Sequence, residues 1–193
     1  GASITGLTCD EVTGTIYDNN GGYTGGGGSA TCLVTNDDLL NTAKIDLTTA
    51  YDDAAGRTTT STIDTELGGT TLTDGVYDSA AGTFGITGTL TLDGGGDADS
   101  VFIFKMASTL ITASSSQVVL TNGAQACNVY WQVGSSATLG TSTTLEGNIL
   151  ALTSISDSGG STVNGRLLAR NGAVTLNNTT IEVSTCAVAT PTP

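Results

Sequence analysis

The chain has 193 residues, about a fifth of them threonine, with 38% hydrophobic, 12% charged and 5% aromatic residues. That much hydrophobic content with so little charge excludes intrinsic disorder, and a net charge of −13 excludes a nucleic-acid footprint and disfavours anionic membrane surfaces. The absence of histidine rules out Ser-His-Asp and Cys-His catalysis, and no run of 18 apolar residues offers a transmembrane helix.

Length suits one domain, expected over 1–186, with 187–193 as a tail or the start of a linker. Residues 6–34 are irregular; the Gly-rich run 21–28 is no regular element, and a disulfide would keep it ordered. Asn36 to Ala55 is the one expected helix. Leu40, Ala43, Leu47, Ala50, Tyr51 and Ala54 fall on one face, Thr35, Asn36 and Asp37 supply capping groups, and Gly56 suits the C′ position. Over 83–92 the residues alternate as in a strand. Phe84, Ile86, Leu90 and Leu92 face inward, and Thr83, Thr87, Thr89 and Thr91 face outward. Val101 to Phe104 reads as a strand buried on both sides. Further strands are expected near 109–112, 117–120 and 128–133. Trp131 and Tyr130 read as core, and Thr190-Pro191-Thr192-Pro193 reads as extended linker.

From residue 144 the sequence repeats every 18 residues. Thr144-Leu145-Glu146-Gly147-Asn148-Ile149-Leu150-Ala151 aligns with Thr162-Val163-Asn164-Gly165-Arg166-Leu167-Leu168-Ala169, and then with Thr180-Ile181-Glu182. So short a period, with apolar stubs between turn residues, is that of a β-solenoid whose rungs stack about 4.8 Å apart. Leu145, Val163 and Ile181 form an interior column, and Thr144, Thr162 and Thr180 an exterior one. Ser136, Thr138, Ser154, Ser156, Ala173 and Thr175 continue a second face of small residues. Such a face has no pocket, but its methyl and hydroxyl groups suit an ordered layer of water.

Little else carries chemistry. Glu146 and Glu182 sit two rungs apart with Asn164 between them, which suits solvated positions better than a glycosidase pair. The loop Asp93 to Asp99 has carboxylates for calcium but not the EF-hand spacing, so a polar glycine turn is the favoured reading. Asn177-Asn178-Thr179-Thr180 holds two overlapping glycosylation sequons. Four cysteines permit three pairings. Cys9–Cys32, closing the Gly-rich loop, and Cys127–Cys186, tying a rung to the C-terminal segment, are favoured over other pairings and over free thiols. Disulfides would imply an oxidising compartment. No metal or cofactor is expected.

Several of these segments together resemble the microbial ice-binding family DUF3494, the type-1 ice-binding proteins. They are Gly88-Thr89-Leu90-Thr91-Leu92-Asp93-Gly94, Val101 to Phe104, Asn122-Gly123-Ala124, Asn128 to Gly134, Gly165 to Ala169 and the helix segment Ala43 to Tyr51. The resemblance covers roughly 35–183. It implies a fold dominated by β-structure: a discontinuous, right-handed, triangular β-solenoid with one long α-helix packed alongside. It also implies secretion and adsorption to ice through one flat face; that the chain is not an enzyme is read from its residues. Matched onto this chain, that face holds Thr5, Thr87, Thr89, Ser136, Thr138, Ser154, Ser156, Ala173 and Thr175, and Thr144, Thr162 and Thr180 form the alternative face. Family members carry a further strand upstream of the segment matching Gly1 to Leu7. The strand could be processed off, be missing from this stretch of sequence or be donated by a neighbour, and donation makes a filament or surface-layer subunit on the same scaffold the rival reading. A carbohydrate-binding module would need a row of exposed aromatic residues.

Overall fold

The computed structural model describes residues 4–19, 22–24 and 32–187. The tail at 190–193 and most of the Gly-rich run therefore lie outside the described residues. The span expected as one domain divides into two compact units, Gly1–Thr49 and Ala50–Pro193.

In the first unit, β1 (Ile16–Asp18) pairs in parallel with β2 (Leu33–Thr35), and Ile4 bridges Tyr23. Cys9 is bonded to Cys32, with Cα atoms 5.6 Å apart. Helix α1 spans Asp37–Gly56 and crosses the division between the units. Its N-terminus is capped by Asn36, whose Oδ1 accepts from the Leu39 amide at 3.0 Å. Of the six positions expected on its buried face, Tyr51 and Ala54 are buried. Gly56 is the last helical residue rather than a left-handed C′, since its φ is not positive.

The second unit is a coil of parallel strands on three faces. β4 (Thr71–Thr73), β7 (Thr89–Asp93), β10 (Gln117–Thr121) and β17 (Thr180–Glu182) lie on the first face. β3 (Ser61–Ile63), β5 (Gly75–Ser79), β8 (Phe102–Met106) and β11 (Val129–Val133) lie on the second. β6 (Phe84–Ile86), β9 (Leu110–Thr112), β12 (Ala137–Leu139), β14 (Ile155–Asp157) and β16 (Val174–Thr175) form the third. β13 (Thr144–Ala151) and β15 (Thr162–Ala169) are long enough to serve two faces. Thr144 pairs with Gln117 on the first face, whereas Asn148 to Ala151 pair with Tyr130 to Val133 on the second. Both strands bend at a glycine. Gly147 has φ +108°, and a Cβ on Gly165 would stand 1.9 Å from the Gly147 carbonyl oxygen.

Within each face the strands follow chain order, so the three-sided coil advances one rung per turn. The run 83–92, which alternates like a single strand, is two strands on different faces. Gly88, at φ +82°, turns the corner between β6 and β7.

The interior is apolar. Trp131 stacks on Phe104 at 4.2 Å between ring centroids, Tyr77 stacks on Phe104 at 5.4 Å, and Phe84 meets Phe104 edge-on at 5.9 Å. Trp131 is fully buried, and its Nε1 donates to the Glu146 carbonyl at 3.0 Å. Tyr130, expected in the core, points the other way. It shares an outward column with Ile103 and Asn148 and is half-buried. The corner between the third and first faces holds a buried ladder of hydroxyls. Ser116 donates to the Ile86 carbonyl, Thr143 pairs with Thr112 at 2.7 Å, and Ser161 donates to Asp157 at 2.6 Å.

Candidate functional site

The second face is not open. Its outward residues Ile103, Gln132, Asn148 and Leu150 are buried. The last turn of α1 sits on it. Tyr51 Oη donates to the Val133 carbonyl at 3.4 Å, Arg170 lies 4.7 Å over the Tyr51 ring and 3.3 Å from Asp52, and Lys105 Nζ donates to the Arg57 carbonyl at 2.7 Å. Two flat faces remain.

On the third face, strand register builds two outward columns. One runs Gly85, Ile111, Thr138, Ser156, Thr175. The other follows from the same register two residues earlier in each strand: Thr83, Thr109, Ser136, Ser154, Ala173. Neighbouring rungs touch through these groups, with Ser156 Oγ 3.4 Å from Thr138 Oγ1 and the Ser154 amide donating to Ser136 Oγ at 3.3 Å. None of the ten residues is charged.

On the first face, one column runs Thr89, Gln117, Thr144, Thr162, Thr180. The next carries Glu146, Asn164 and Glu182, and Asp93 lies further along. Asn164 Nδ2 donates to Glu146 at 2.8 Å, and burial pushes the Glu146 carboxyl above its ordinary range, partly offset by that hydrogen bond. This face therefore alternates threonines with carboxylates.

The register thus sorts the sequence-derived site. Ser136, Thr138, Ser154, Ser156, Ala173 and Thr175 share the third face. Thr87 stands just beyond β6 at its corner, where Glu66 accepts from the Thr87 amide at 2.8 Å and from its hydroxyl at 3.0 Å. Burial acts upward on the Glu66 carboxyl, but the hydrogen bonds from Gly68 and Thr87 outweigh it and hold the group below its usual range. Thr89 leaves the set, because the Gly88 corner carries it to the first face at the head of the Thr144 column. Thr5 is exposed beside the Ile4–Tyr23 bridge of the first unit and belongs to neither column.

A family model described as "Ice-binding-like" matches residues 1–182. The chain belongs to that family. It is 44% identical over 179 residues to an ice-binding protein of Nostoc sp. (strain HG1), covering 92% of this chain and 60% of that protein. It is 38% identical over 186 residues to one of Flavobacterium frigoris (strain PS1), covering 95% of this chain and 63% of the relative. The chain thus spans about three-fifths of the length of these two relatives. The crystal structure of an ice-binding protein from the Antarctic ascomycete Antarctomyces psychrotrophicus matches with a TM-score of 0.76 at 45% identity, covering 84% of this chain and 77% of the other.

For a member of the ice-binding-like family, the placement of charge separates the two open faces. All five basic residues, Lys44, Arg57, Lys105, Arg166 and Arg170, lie on or just after α1 or on the second-face side of β8 and β15. Acidic groups reach the first face at several rungs, whereas on the third the ten positions from β6 to β16 carry none and a single carboxylate, Glu66, stands at the edge, bridged in parallel to Gly85. The sequence reading missed Gly85, Thr109 and Ile111 as members of this face and left Thr83 out of its site. Their strands lack the 18-residue period, and only the pairing register aligns them with the later rungs.

The other candidate chemistries resolve into structure. Asp93 Oδ1 accepts from the Gly95 amide at 2.8 Å and from Asn122 at 2.9 Å, and Asp97 Oδ1 accepts from the Asp99 amide at 2.9 Å. The acidic loop is thus a pair of side-chain-capped turns. Among the described residues, no group of three or more acidic or cysteine side chains could hold a metal ion. Asn177 and Asn178 lie in the turn between β16 and β17, where Asn177 Nδ2 donates to the Ser158 carbonyl at 3.2 Å. Cys127 is bonded to Cys186, with Cα atoms 5.5 Å apart.

Proposed function

We propose that this protein binds ice through the third face of the coil, with Thr83, Thr109, Ser136, Ser154 and Ala173 in one column and Ile111, Thr138, Ser156 and Thr175 in the other. The observation that carries this reading is the strand register, which assembles ten uncharged, mostly small outward positions on one sheet. The names of the relatives support it. An ice surface is neutral and flat. Charged side chains keep their own hydration shells, whereas threonine and serine offer methyl or methylene groups with a hydroxyl that can join a water lattice. Each contact is weak, but a rigid parallel scaffold presents many of them with little entropy lost on binding. The protein acts by adsorption, without catalysis. Its two disulfides support an extracellular setting.

The test is thermal hysteresis and ice recrystallisation on the purified chain, with molecular size measured on the same sample. Shaped crystals and slowed recrystallisation from a monomer are expected. A chain that leaves ice growth unchanged while forming large assemblies would favour the filament reading instead.

A further inference from the structure

The covered second face carries one residue that packing does not account for. Strand register sets Asp78, Lys105, Gln132, Leu150 and Leu168 in a single outward row. Gln132 and Leu150 are the most buried of the row, at 7% and 3% exposed. Leucine suits such a position. Gln132 instead brings a carboxamide with two donor hydrogens and an acceptor oxygen. Among the described residues no hydrogen bond reaches that carboxamide, although it is nine-tenths buried. An amide left unpaired at such depth destabilises a fold, so something polar must meet it.

Gln132 borders a cavity of about 390 Å³, which Tyr51, Asp78, Lys105 and Gly134 line as well. That volume is at the small end of the range for ligand sites. Its two charged groups are not spent on each other. Asp78 and Lys105 are cross-strand neighbours of opposite sign, yet among the described residues they form no ion pair. Lys105 Nζ donates to the Arg57 carbonyl at 2.7 Å and keeps two further donors, and the Asp78 carboxylate accepts no hydrogen bond among the described residues. A carboxylate, an ammonium group and a buried carboxamide thus line one cavity.

We infer that this cavity binds a small zwitterion of the free α-amino-acid class. The ligand's ammonium group lies against Asp78 and its carboxylate against Lys105, and the Gln132 carboxamide donates to that carboxylate. Contacts of this kind are charge-assisted at both ends. A simple anion or a simple cation leaves one charge of the cavity unmatched. Tyr51, from the last turn of α1, forms one wall, so an occupied site also ties that turn to the sheet. The site lies on the covered face, and its occupancy is a separate question from adsorption to ice.

The experiment titrates L-alanine into the isotope-labelled parent chain and follows its amide resonances by NMR, with acetate and ethylammonium as single-charge controls. L-alanine is expected to shift resonances of β5, β8 and β11 around the cavity with a Kd of about 1 mM, and each control is expected to bind at least about tenfold more weakly. Gln132→Leu is expected to weaken L-alanine binding about tenfold and, since it removes the unpaired amide, to melt no lower than the parent without ligand. Asp78→Asn, at a partly exposed position, gives a second variant that tests the ammonium contact without disturbing the buried row. No saturable shift with L-alanine in the folded parent means that the cavity holds water only and overturns the assignment. Acetate binding as tightly as L-alanine makes the cavity a plain anion site and also overturns it. Undiminished binding of L-alanine to both variants places the ligand elsewhere and overturns it too.

Discussion

Asp157 shows how a residue facing away from solvent serves a surface. It ends β14, is buried, and accepts hydrogen bonds from the Ser161 hydroxyl, the Thr179 hydroxyl and the Gly159 amide. Burial alone would raise its carboxyl, but these donors outweigh that effect and hold it below the usual range. A depressed value means that the stability it contributes is present above the ordinary carboxylate value, about 3.9, and is lost as pH falls through the lower folded value. Acid melting is therefore expected to begin around Asp157, and Asp157→Ala is expected to cost about 2 kcal/mol at neutral pH, read from denaturant unfolding. Glu146 has the opposite sign. Its carboxyl is raised, so ionisation opposes folding as pH rises from the unfolded towards the folded value. Glu146→Gln is expected to leave stability at neutral pH unchanged or slightly higher, and a large fall in stability would show that the Asn164 hydrogen bond needs the charge.

At the scale of elements, the strands are set by apolar alternation and the corners by glycine. The 18-residue repeat over 144–182 was legible because β13 and β15 run without a break across two faces, which leaves their spacing intact in the sequence. The earlier rungs were not aligned in this way. Their turns vary in length, from the single Gly88 corner to the acidic loop at 93–99, and varied turns erase a fixed period while leaving the hydrogen-bonded register untouched. For the same reason Thr89 was grouped with Thr87, because nothing in an alternating run marks a change of face. The long strands depend on their bends. Gly147→Ala would force a side chain into φ +108° and place its Cβ 2.7 Å from Val129. A destabilisation of about 2–4 kcal/mol is expected in denaturant unfolding, larger than for an exposed corner glycine such as Gly88, where open space leaves only the backbone strain. The helix was legible from its spacing and its Asn36 cap. Asn36→Ala is expected to cost about 1 kcal/mol by thermal melting.

At the scale of the molecule, the coil has three faces with three fates. One is covered, with the last turn of α1 seated on it, one mixes threonine with carboxylates, and one is small and uncharged from β6 to β16, with Glu66 at its edge. Parallel strands hold the third face rigid, and the Cys127–Cys186 bond ties the segment after β17 back to the start of β11. Removing that bond as the double alanine variant is expected to destabilise the fold by about 2–5 kcal/mol while leaving the outward columns in place. Activity at low temperature should therefore survive even though the melting temperature falls. The central claim is that the third face, not the first, meets ice. The measurement that tests it most directly is the thermal hysteresis of Ser154→Tyr against Thr162→Tyr, each confirmed folded and compared with the parent at equal concentration. A tyrosine standing off the third face at Ser154 should abolish most of the activity, while one at Thr162 should leave it close to the parent value. Abolished activity in Thr162→Tyr with Ser154→Tyr unimpaired would contradict the assignment and transfer ice binding to the threonine column of the first face.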